Sequence, residues 1–285
     1  MSDIQSADFE IMDSHHHLWE LERGDYNWLS SKRPIIFKNF TINDLSPELA
    51  AAGIKKTIVV QATPSDDETD YLLAIARNSS VLRGVVGWVD FEHPTACERI
   101  DYLASCPKLV GIRPMIQAIP DVNWMLRSDI EPALRMMERL DLPFDALVTP
   151  QHLSALKSFA KRFSSLRIVI NHFGKPEMSE NLTQWKEEMA ELAELSNVWC
   201  KFSGLTAKAP TPVNVDVLRP VFDFIIDCFG MHRLMWASDW PVLLETASYS
   251  NWMDLSREYL QNFSKEEQAQ IFGKTAQDFY RIELL

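Results

Sequence analysis

The chain lacks the features that mark a membrane, secreted or nucleic-acid-binding protein. Its longest apolar runs are far shorter than a bilayer span, and its first residues lack the basic and apolar regions of a signal peptide. The 28 Lys and Arg residues are outnumbered by 40 Asp and Glu residues, and the formal net charge of -12 argues against phosphate-rich partners. We therefore expect a cytoplasmic protein that binds neither nucleic acid nor membrane.

Cysteine and glycine are also scarce. No CxxC or other metal-clip spacing occurs, and each cysteine lies in an apolar or helical context, so we expect buried free thiols at Cys97, Cys106, Cys200 and Cys228. Only 9 glycines occur in 285 residues, and no glycine-rich loop joins a strand-like run to a helix. This argues against a nucleotide-binding, doubly wound sheet.

The chain does contain a regular alternation of apolar, strand-like runs and helical segments. Strict alternation up to eight strands predicts a single α/β domain over residues 1–285, a (β/α)8 TIM barrel, with a doubly wound α/β sheet as the runner-up. The first predicted strand carries residues 10–19, and the other seven are predicted at 56–62, 82–90, 109–115, 142–148, 167–172, 198–203 and 234–239.

Helix signals between these strands are clear in some places and absent in others. Ser46, Pro47 and Gly53 predict a short helix with a cap, a proline at its first position and a glycine past its end. The Ser-x-x-Glu pattern at Ser264 predicts the start of the last helix. Specificity in this fold depends on the loops, and we interpret residues 118–129, 207–214 and 243–251 as loops without a readable code.

The first strand carries the most informative motif, Asp-x-His-x-His. Side chains alternate faces along a strand, so Asp13, His15 and His17 are expected to point the same way. His16 is then expected to point the opposite way. Two neutral imidazoles on one face can hold a single ion of the zinc, iron, nickel or manganese type. The motif therefore predicts part of a metal or substrate site.

Further polar residues lie where other predicted strands end, at the mouth that carries the active site in barrels of this kind. They are Arg113, His172, Lys201 and Asp239. Each also has a structural interpretation. His172 could be a core histidine with its hydrogen bonds satisfied, and Asp239 could cap the following segment. Arg113 and Lys201 could be charges paired within the barrel mouth. Because all of these interpretations would have to hold together at strand ends, one shared site is favoured. The other histidines lie on or beside helices and are interpreted as surface or packing residues, namely His93, His152 and His232.

An ordered set of motifs extends over nearly the whole chain. They are Asp13-x-His15-x-His17-x-Trp19, Glu68-Thr69-Asp70, Val86-Gly87-Trp88-Val89-Asp90, Gly111-Ile112-Arg113, Asn171-His172-Phe173-Gly174-Lys175-Pro176, Lys201-Phe202-Ser203-Gly204-Leu205 and Ser238-Asp239-Trp240-Pro241-Val242. With these motifs the chain resembles the amidohydrolase superfamily. Within it, the chain is similar to the lactonase-like branch that includes sugar-acid lactonases, muconolactone-type lactonases and 2-pyrone-4,6-dicarboxylate lactonase.

The resemblance implies a set of metal or substrate ligands, namely His15, His17, His172 and Asp239. Strand four carries Arg113 instead of a bridging lysine or glutamate, and strand five has no histidine, so a binuclear centre is not expected. One divalent ion fits, with Zn²⁺ as the first choice. The pyrone-type members are thought to work without metal, so a metal-free, histidine-lined site is the alternative. Asn171, where many members have aspartate, is expected to face away from the barrel axis.

The resemblance also implies an activity, the hydrolysis of a small-molecule lactone to its hydroxy acid. Asp239 would act as general base, while His172 or Lys201 would stabilise the oxyanion. Arg113 is the candidate for binding a substrate carboxylate or hydroxyl. Trp19 and Trp240 would line the pocket together with Trp28, or else pack beneath its rim.

Two other functions and several residue roles stay open at this point. One alternative is non-hydrolytic decarboxylation of a small aromatic or muconate-type acid, and another is a binding module without catalysis. Glu245 and Tyr249 either reach the pocket or face solvent. The partner is a small-molecule substrate, and a homo-oligomer is compatible with the sequence.

Overall fold

The computed structural model describes residues 9–282, whose centre is one sheet of eight parallel strands. The strands pair in chain order, each with the next. They are Met12–His16 (β1), Lys56–Val60 (β2), Leu82–Gly87 (β3), Leu109–Ile112 (β4), Phe144–Ala146 (β5), Ile168–Ile170 (β6), Val198–Phe202 (β7) and Leu234–Trp236 (β8).

The sheet closes on itself just beyond the end of β8. The backbone N–H of His17 donates to the carbonyl oxygen of Trp240 at 2.7 Å, and the N–H of Asp239 donates to the carbonyl oxygen of His15 at 2.9 Å. These bonds join the last strand to the first at their carboxyl ends. The predicted (β/α)8 barrel is therefore confirmed, and the doubly wound sheet is excluded.

Helices follow each strand and cover the outside of the barrel with apolar side chains. They are Ile42–Ala52 (α1), Asp66–Arg77 (α2), Ala96–Ala104 (α3), Glu131–Arg139 (α4), Leu153–Arg162 (α5), Thr183–Ala193 (α6), Val215–Phe229 (α7), Tyr249–Leu260 (α8), Lys265–Ala269 (α9) and Thr275–Tyr280 (α10). Within residues 9–282, no helix combines the length and the apolar character that crossing a membrane requires.

Helix α1 begins five residues before the predicted start. Its N-cap is Thr41, which forms a capping box with Asp44, while the hydroxyl of Ser46 bonds to a backbone carbonyl one turn back. The stronger cap therefore lies upstream, and Pro47 is accommodated inside the helix. The predicted end is confirmed, because Gly53 adopts the left-handed conformation with a φ of 75°.

Helix α8 lies partly in the segment predicted as a loop. Ser248 caps it by accepting a hydrogen bond from the Asn251 N–H at 3.0 Å. Its Ser, Asn and aromatic residues are weak helix formers, so packing decides its conformation. Trp252 is fully buried and donates to the carbonyl oxygen of Ala237 at 2.8 Å. The predicted capping box at Ser264 is confirmed.

The amino end of the barrel is filled with apolar side chains. Met12, Ile58 and Met235 meet the apolar residues of α10 there, in a cluster separate from the outer core. Phe279 is 2% exposed, and its ring centroid lies 5.1 Å from that of Trp199. Helix α10 thus closes this end, which leaves the carboxyl ends of the strands as the open face.

The cysteines are free thiols. Cys200 is fully buried in β7, as expected. The other three are only partly buried, because they lie on or beside outer helices whose faces are half covered: Cys97, Cys106 and Cys228.

Candidate active site

The two histidines of the first motif lie side by side at the open end of β1. Their Nε2 atoms are 3.1 Å apart, and both side chains are buried. Burial lowers the pKa of both His15 and His17. His17 is oriented by its Nδ1, which lies 2.7 Å from the carbonyl oxygen of Val60. The predicted convergence of the two imidazoles is therefore observed.

Asp13 does not point toward this histidine pair, and the prediction that all three side chains share one face is wrong. The β1–β2 pairing shifts register between Asp13 and His16, which breaks the simple alternation. The Asp13 carboxylate instead accepts hydrogen bonds from the hydroxyls of Ser238 at 2.6 Å and Tyr249 at 2.9 Å. Asp13 thus supports the segment after β8, and the buried Tyr249 helps to hold it.

Asp239 brings a carboxylate to the histidines. Its Oδ1 lies 3.3 Å from Nε2 of His17, and 3.6 Å from Nε2 of both His15 and His172. Burial raises the pKa of Asp239, but His172 and His17 outweigh burial and hold this pKa below its usual range. The carboxylate is therefore ionised. Strand β8 ends at Trp236, before the predicted end, and the backbone at Asp239 is left-handed with a φ of 59°.

His172 enters the site from an unusual left-handed turn. Four consecutive residues have positive φ: His172 at 54°, Phe173 at 56°, Gly174 at 67° and Lys175 at 55°. Such backbone is costly for residues other than glycine and is typical of functional sites. The Nδ1 of His172 is 2.8 Å from the Ser203 hydroxyl, and burial lowers the pKa of His172 to about 3.

The same turn overturns the expected orientation of Asn171. Its side-chain amide donates to Asp145 Oδ2 at 3.2 Å, inside the barrel. The alternation of side chains along β6 stops before His172, so the side chains of both Asn171 and His172 face the barrel axis. The turn also requires a close neighbour without a side chain, because a Cβ on Gly204 would lie 2.6 Å from the Cβ of His172.

Lys201 lies beneath the histidines, where it is fully buried. Its Nζ is 2.6 Å from Asp145 Oδ2 and 3.1 Å from His15 Nδ1. The Tyr280 hydroxyl from α10 completes this group by donating to Asp145 Oδ1 at 2.8 Å. Lys201 is absent from the cavity wall among residues 9–282, so the predicted oxyanion contact is not available to it in this arrangement.

Arg113 lies between the buried group and the open cavity. One Nη atom donates to the carbonyl oxygen of Gln61, and the other lies 3.4 Å from His15 Nε2. Burial lowers the pKa of Arg113 to about 10, although nearby carboxylates oppose this shift. The guanidinium therefore stays charged at neutral pH, in the position that the sequence predicts for a substrate contact.

A cavity of about 320 Å³ opens above these residues. Its wall contains three cationic side chains, while Asp239 supplies the carboxylate. The lining residues are His17, Trp28, Arg33, Ala62, Arg113, Met115, Gln117, Ala118, Leu147, His172, Lys175, Asp239 and Val242. Arg33 stacks 4.9 Å above the ring of Trp28 and pairs with Glu245, which places Glu245 beside the rim.

Trp19 and Trp240 lie behind this wall. Trp19 is fully buried, with its ring centroid 5.4 Å from that of Trp28 and 5.5 Å from that of Phe40. Trp240 also packs against Phe40, with ring centroids 5.1 Å apart. Of the three tryptophans, Trp28 is the one in the described cavity wall, so Trp19 and Trp240 take the packing alternative.

Lys175 and Asp145 are among the site residues that the sequence analysis did not predict, together with Arg33, Gln117 and Tyr280. Lys175 donates to Gln117 Oε1 at 2.6 Å, and burial lowers its pKa to about 8. The signals were present: Lys175 follows a predicted strand end, and Asp145 is a charge inside an apolar strand. Tyr280 gave no such signal, because nothing in the sequence places the last helix beneath the site.

The residues fit a single metal ion in part. The ligand atoms of His15, His17 and Asp239 all lie within 4.8 Å of one another, and this mixed nitrogen and oxygen set suits zinc. His17 fits best, because the Val60 contact at its Nδ1 leaves the Nε2 lone pair for an ion. His15 differs, since its Nδ1 faces the ammonium of Lys201.

Comparison with known proteins finds relatives that match nearly the whole chain. The chain is 41% identical over 280 residues to an L-fucono-1,5-lactonase of Burkholderia ambifaria, covering 95% of this chain and 96% of that protein. A second L-fucono-1,5-lactonase, from Burkholderia multivorans, is 31% identical over 284 residues, covering 95% and 96%. A zinc-bound crystal structure of a Burkholderia multivorans amidohydrolase superposes with a TM-score of 0.90 at 31% identity, covering 96% of this chain and 100% of that one.

More distant neighbours include decarboxylases that are 13–14% identical, which show the fold alone. The family model described as Amidohydrolase matches residues 12–282. It thus extends from the start of β1 through the last described residue of the chain. With its barrel, its histidine pair and the carboxylate after the eighth strand, this protein belongs to the amidohydrolase family.

Proposed function

We propose that this protein hydrolyses the 1,5-lactone of a sugar acid, with L-fucono-1,5-lactone as the first substrate to test. One observation carries the proposal: an ionised Asp239 lies within 3.6 Å of three imidazoles at the floor of a cavity. A volume of about 320 Å³ is at the small end for ligand sites and suits a single sugar ring. The lactonase relatives support the same substrate class.

The proposed first step is attack of water on the lactone carbonyl. Asp239 orients the water and accepts its proton, since its carboxylate is ionised and 14% exposed toward the cavity. His172 donates to the developing oxyanion, because the left-handed turn places its ring beside Asp239. Asp239 then returns the proton to the ring oxygen, which leaves as the new hydroxyl of the open acid.

Cationic and amide groups on the wall bind the rest of the substrate. Arg113 offers a planar fork to ring hydroxyls, and Lys175 with Gln117 forms a second polar contact. Trp28 contributes aromatic surface to the cavity wall, and Arg33 covers one face of its ring at 4.9 Å. Arg113 and Lys175 also suit the carboxylate that ring opening creates.

A metal ion, where bound, would be held by His15, His17 and Asp239, with His172 adjacent. When bound, a zinc ion polarises a carbonyl and lowers the pKa of bound water. The zinc-bound amidohydrolase relative supports Zn²⁺ as the choice. The metal-free route keeps the same roles for Asp239 and His172.

The deciding experiment is a pH-indicator hydrolysis screen of the purified full-length protein. Substrates are L-fucono-1,5-lactone, other aldonolactones, a muconolactone and 2-pyrone-4,6-dicarboxylate, each with chelator, with added zinc and without either. Acid release from an aldonolactone supports the proposal, and the chelator arm decides whether metal is needed. A folded protein that hydrolyses none of them contradicts it, and release of carbon dioxide from an aromatic acid would establish the decarboxylase alternative.

One domain over residues 1–285 and catalysis in the cytoplasm rest on the sequence and stay predictions. The sequence is compatible with a homo-oligomer but does not predict the oligomeric state. The substrate is the partner that the cavity supports. Size-exclusion chromatography with light scattering measures the oligomeric state directly.

A further inference from the structure

Gln61 lies directly after β2 and exchanges two hydrogen bonds with Arg113. Its side-chain Nε2 donates to the backbone carbonyl oxygen of Arg113 at 2.7 Å. In return, one Nη of Arg113 donates to the backbone carbonyl oxygen of Gln61. Each residue therefore uses its side chain to hold the backbone of the other, and both are buried, at 0% and 3% exposure.

The exchange connects the ends of two strands that are not neighbours in the barrel. Gln61 continues β2, and its backbone N–H donates to the carbonyl oxygen of Val86 in β3 at 2.9 Å. Arg113 continues β4, and its backbone N–H donates to the carbonyl oxygen of Gly87 in β3 at 2.8 Å. The hydrogen bonds between Gln61 and Arg113 thus cross the carboxyl end of β3, on the side where the cavity opens.

The other contacts of the Arg113 guanidinium are longer than ordinary hydrogen bonds. Its second Nη lies 3.4 Å from His15 Nε2 and 3.5 Å from Asn171 Oδ1. Its Nε has no hydrogen-bond partner within residues 9–282. The carbonyl oxygen of Gln61 is therefore the short contact that fixes the guanidinium in the cavity wall, and the second Nη stays available for a substrate.

Packing alone does not explain an amide at position 61. The Oε1 of Gln61 is buried and has no hydrogen-bond partner among the described residues. An unpaired buried acceptor costs free energy, and an apolar side chain of the same length would avoid this cost. The bond from Nε2 to the Arg113 backbone is therefore what the amide contributes at this position.

We propose that Gln61 is a positioning residue for Arg113 and, through it, a determinant of substrate affinity. The proposal rests on the proposed function, in which Arg113 binds a ring hydroxyl of the lactone. A guanidinium that is already held in place loses less conformational freedom when a substrate binds. Gln61 is absent from the described cavity wall, so it acts through Arg113, a group remote from the bond that breaks. KM should therefore respond more strongly than kcat.

The first test is Gln61→Met, which keeps the length of the side chain and removes the amide. We expect KM for the lactone to rise about two- to tenfold, the effect of one hydrogen bond, with kcat within about twofold of the unmodified enzyme. The matched control is Gln277→Met, which removes a buried amide in α10 that lies 3.4 Å from Glu10 Oε2 at the closed end. An unchanged KM in Gln61→Met, or an equal rise in the control, overturns the proposal.

The second test is a double-mutant cycle, which separates positioning from a general structural effect. Gln61→Met is measured in the unmodified protein and in the Arg113→Met background, with circular dichroism to establish that each variant is folded. If Gln61 acts through Arg113, its effect on KM should nearly vanish once the guanidinium is absent. Additive effects overturn the proposal. Arg113→Lys, which keeps the charge, takes the place of Arg113→Met if that variant does not fold.

The third test needs no lactone. Nitrogen-15 NMR of the full-length protein, labelled at arginine, follows rotation of the Arg113 guanidinium, with its resonances assigned through Arg113→Lys. We expect rotation at least about twofold faster in Gln61→Met, and unchanged in Gln277→Met. Equal rates in Gln61→Met and the unmodified protein overturn the proposal, even where hydrolysis is established. If rotation changes as expected but no lactone is hydrolysed, the proposed function fails while Gln61 remains the residue that positions Arg113.

Discussion

The two ends of the barrel carry different kinds of side chain. At the carboxyl end, the side chains are histidines, carboxylates and cations. Four of the six non-glycine residues with positive φ in the described chain lie there, namely His172, Phe173, Lys175 and Asp239. At the amino end, α10 closes the barrel with apolar groups such as Phe279. Strained backbone and buried charge cost stability, whereas apolar burial supplies it. The difference indicates that the closed end stabilises a site that is costly to maintain.

Between the two ends lies the Lys201–Asp145 pair, which contacts both. Tyr280 donates to it from the closed end, and His15 lies against it from the open end. Substitutions at the open end should therefore affect catalysis, whereas substitutions at the closed end should affect stability. Changes to the pair should affect both.

The largest effect is expected from Asp239→Asn at the open end. Loss of the general base should lower kcat/KM for the lactone by about 10²–10⁴-fold, while the free energy of unfolding stays near that of the unmodified protein. Steady-state kinetics and urea denaturation measure the two quantities. Asp254→Asn, an exposed carboxylate on α8, is the control. A fully active Asp239→Asn protein would contradict the mechanism.

The counterpart at the closed end is Phe279→Ala. Removing this ring from the cluster should lower the free energy of unfolding by about 3–5 kcal/mol, because it leaves a cavity in a packed core. Well below the unfolding temperature, kcat/KM should stay within about threefold of the unmodified protein, since a tenfold change needs about 1.4 kcal/mol in the transition state. A catalytic defect without loss of stability would show that the two ends are not separate.

A smaller and pH-dependent effect is expected from Lys175→Met. Loss of a charge-assisted hydrogen bond, worth about 1.5–3 kcal/mol, should raise KM at least about tenfold with little change in kcat. The pKa of Lys175 is lowered to about 8, so its charge is present below that pH and is lost above it. KM of the unmodified enzyme should therefore rise above pH 8, after correction for spontaneous hydrolysis.

In Lys175→Met, KM should be equally high on both sides of pH 8. Lys157→Met, which removes a partly buried lysine paired with Glu191 on the outer helices, should keep the normal pH profile. If the rise in KM above pH 8 persists in Lys175→Met, another group causes it.

The smallest effect is expected from Tyr280→Phe, which removes one hydroxyl from the central pair. The loss of its hydrogen bonds to Asp145 should cost about 1 kcal/mol of unfolding free energy. A decrease of a few-fold in kcat should accompany it, because Asp145 holds Lys201 less firmly. Tyr259→Phe, which removes a bond to Asp223 far from the site, is the control and should affect stability alone.

Sequence patterns correctly predicted those elements in which the local sequence and the tertiary packing favour the same structure. All eight strands were predicted, since parallel barrel strands are buried on both faces and appear as continuous apolar runs. The Ser264 capping box was also confirmed, because both of its partners are local. Helix α8 was missed, since its weak helix formers are ordered by packing of Trp252 on the barrel.

The candidate site shows the same division. The sequence by itself determined the barrel, the histidine pair and the residues at the strand ends, because periodicity and spacing are properties of the chain. Only the tertiary structure decided that Asp13 and Trp19 turn away from the cavity and that Lys175 turns into it. It also decided that Tyr280 lies beneath His15 through Asp145 and Lys201. Register shifts, left-handed turns and contacts between distant segments depend on how the whole barrel closes, which no local pattern records.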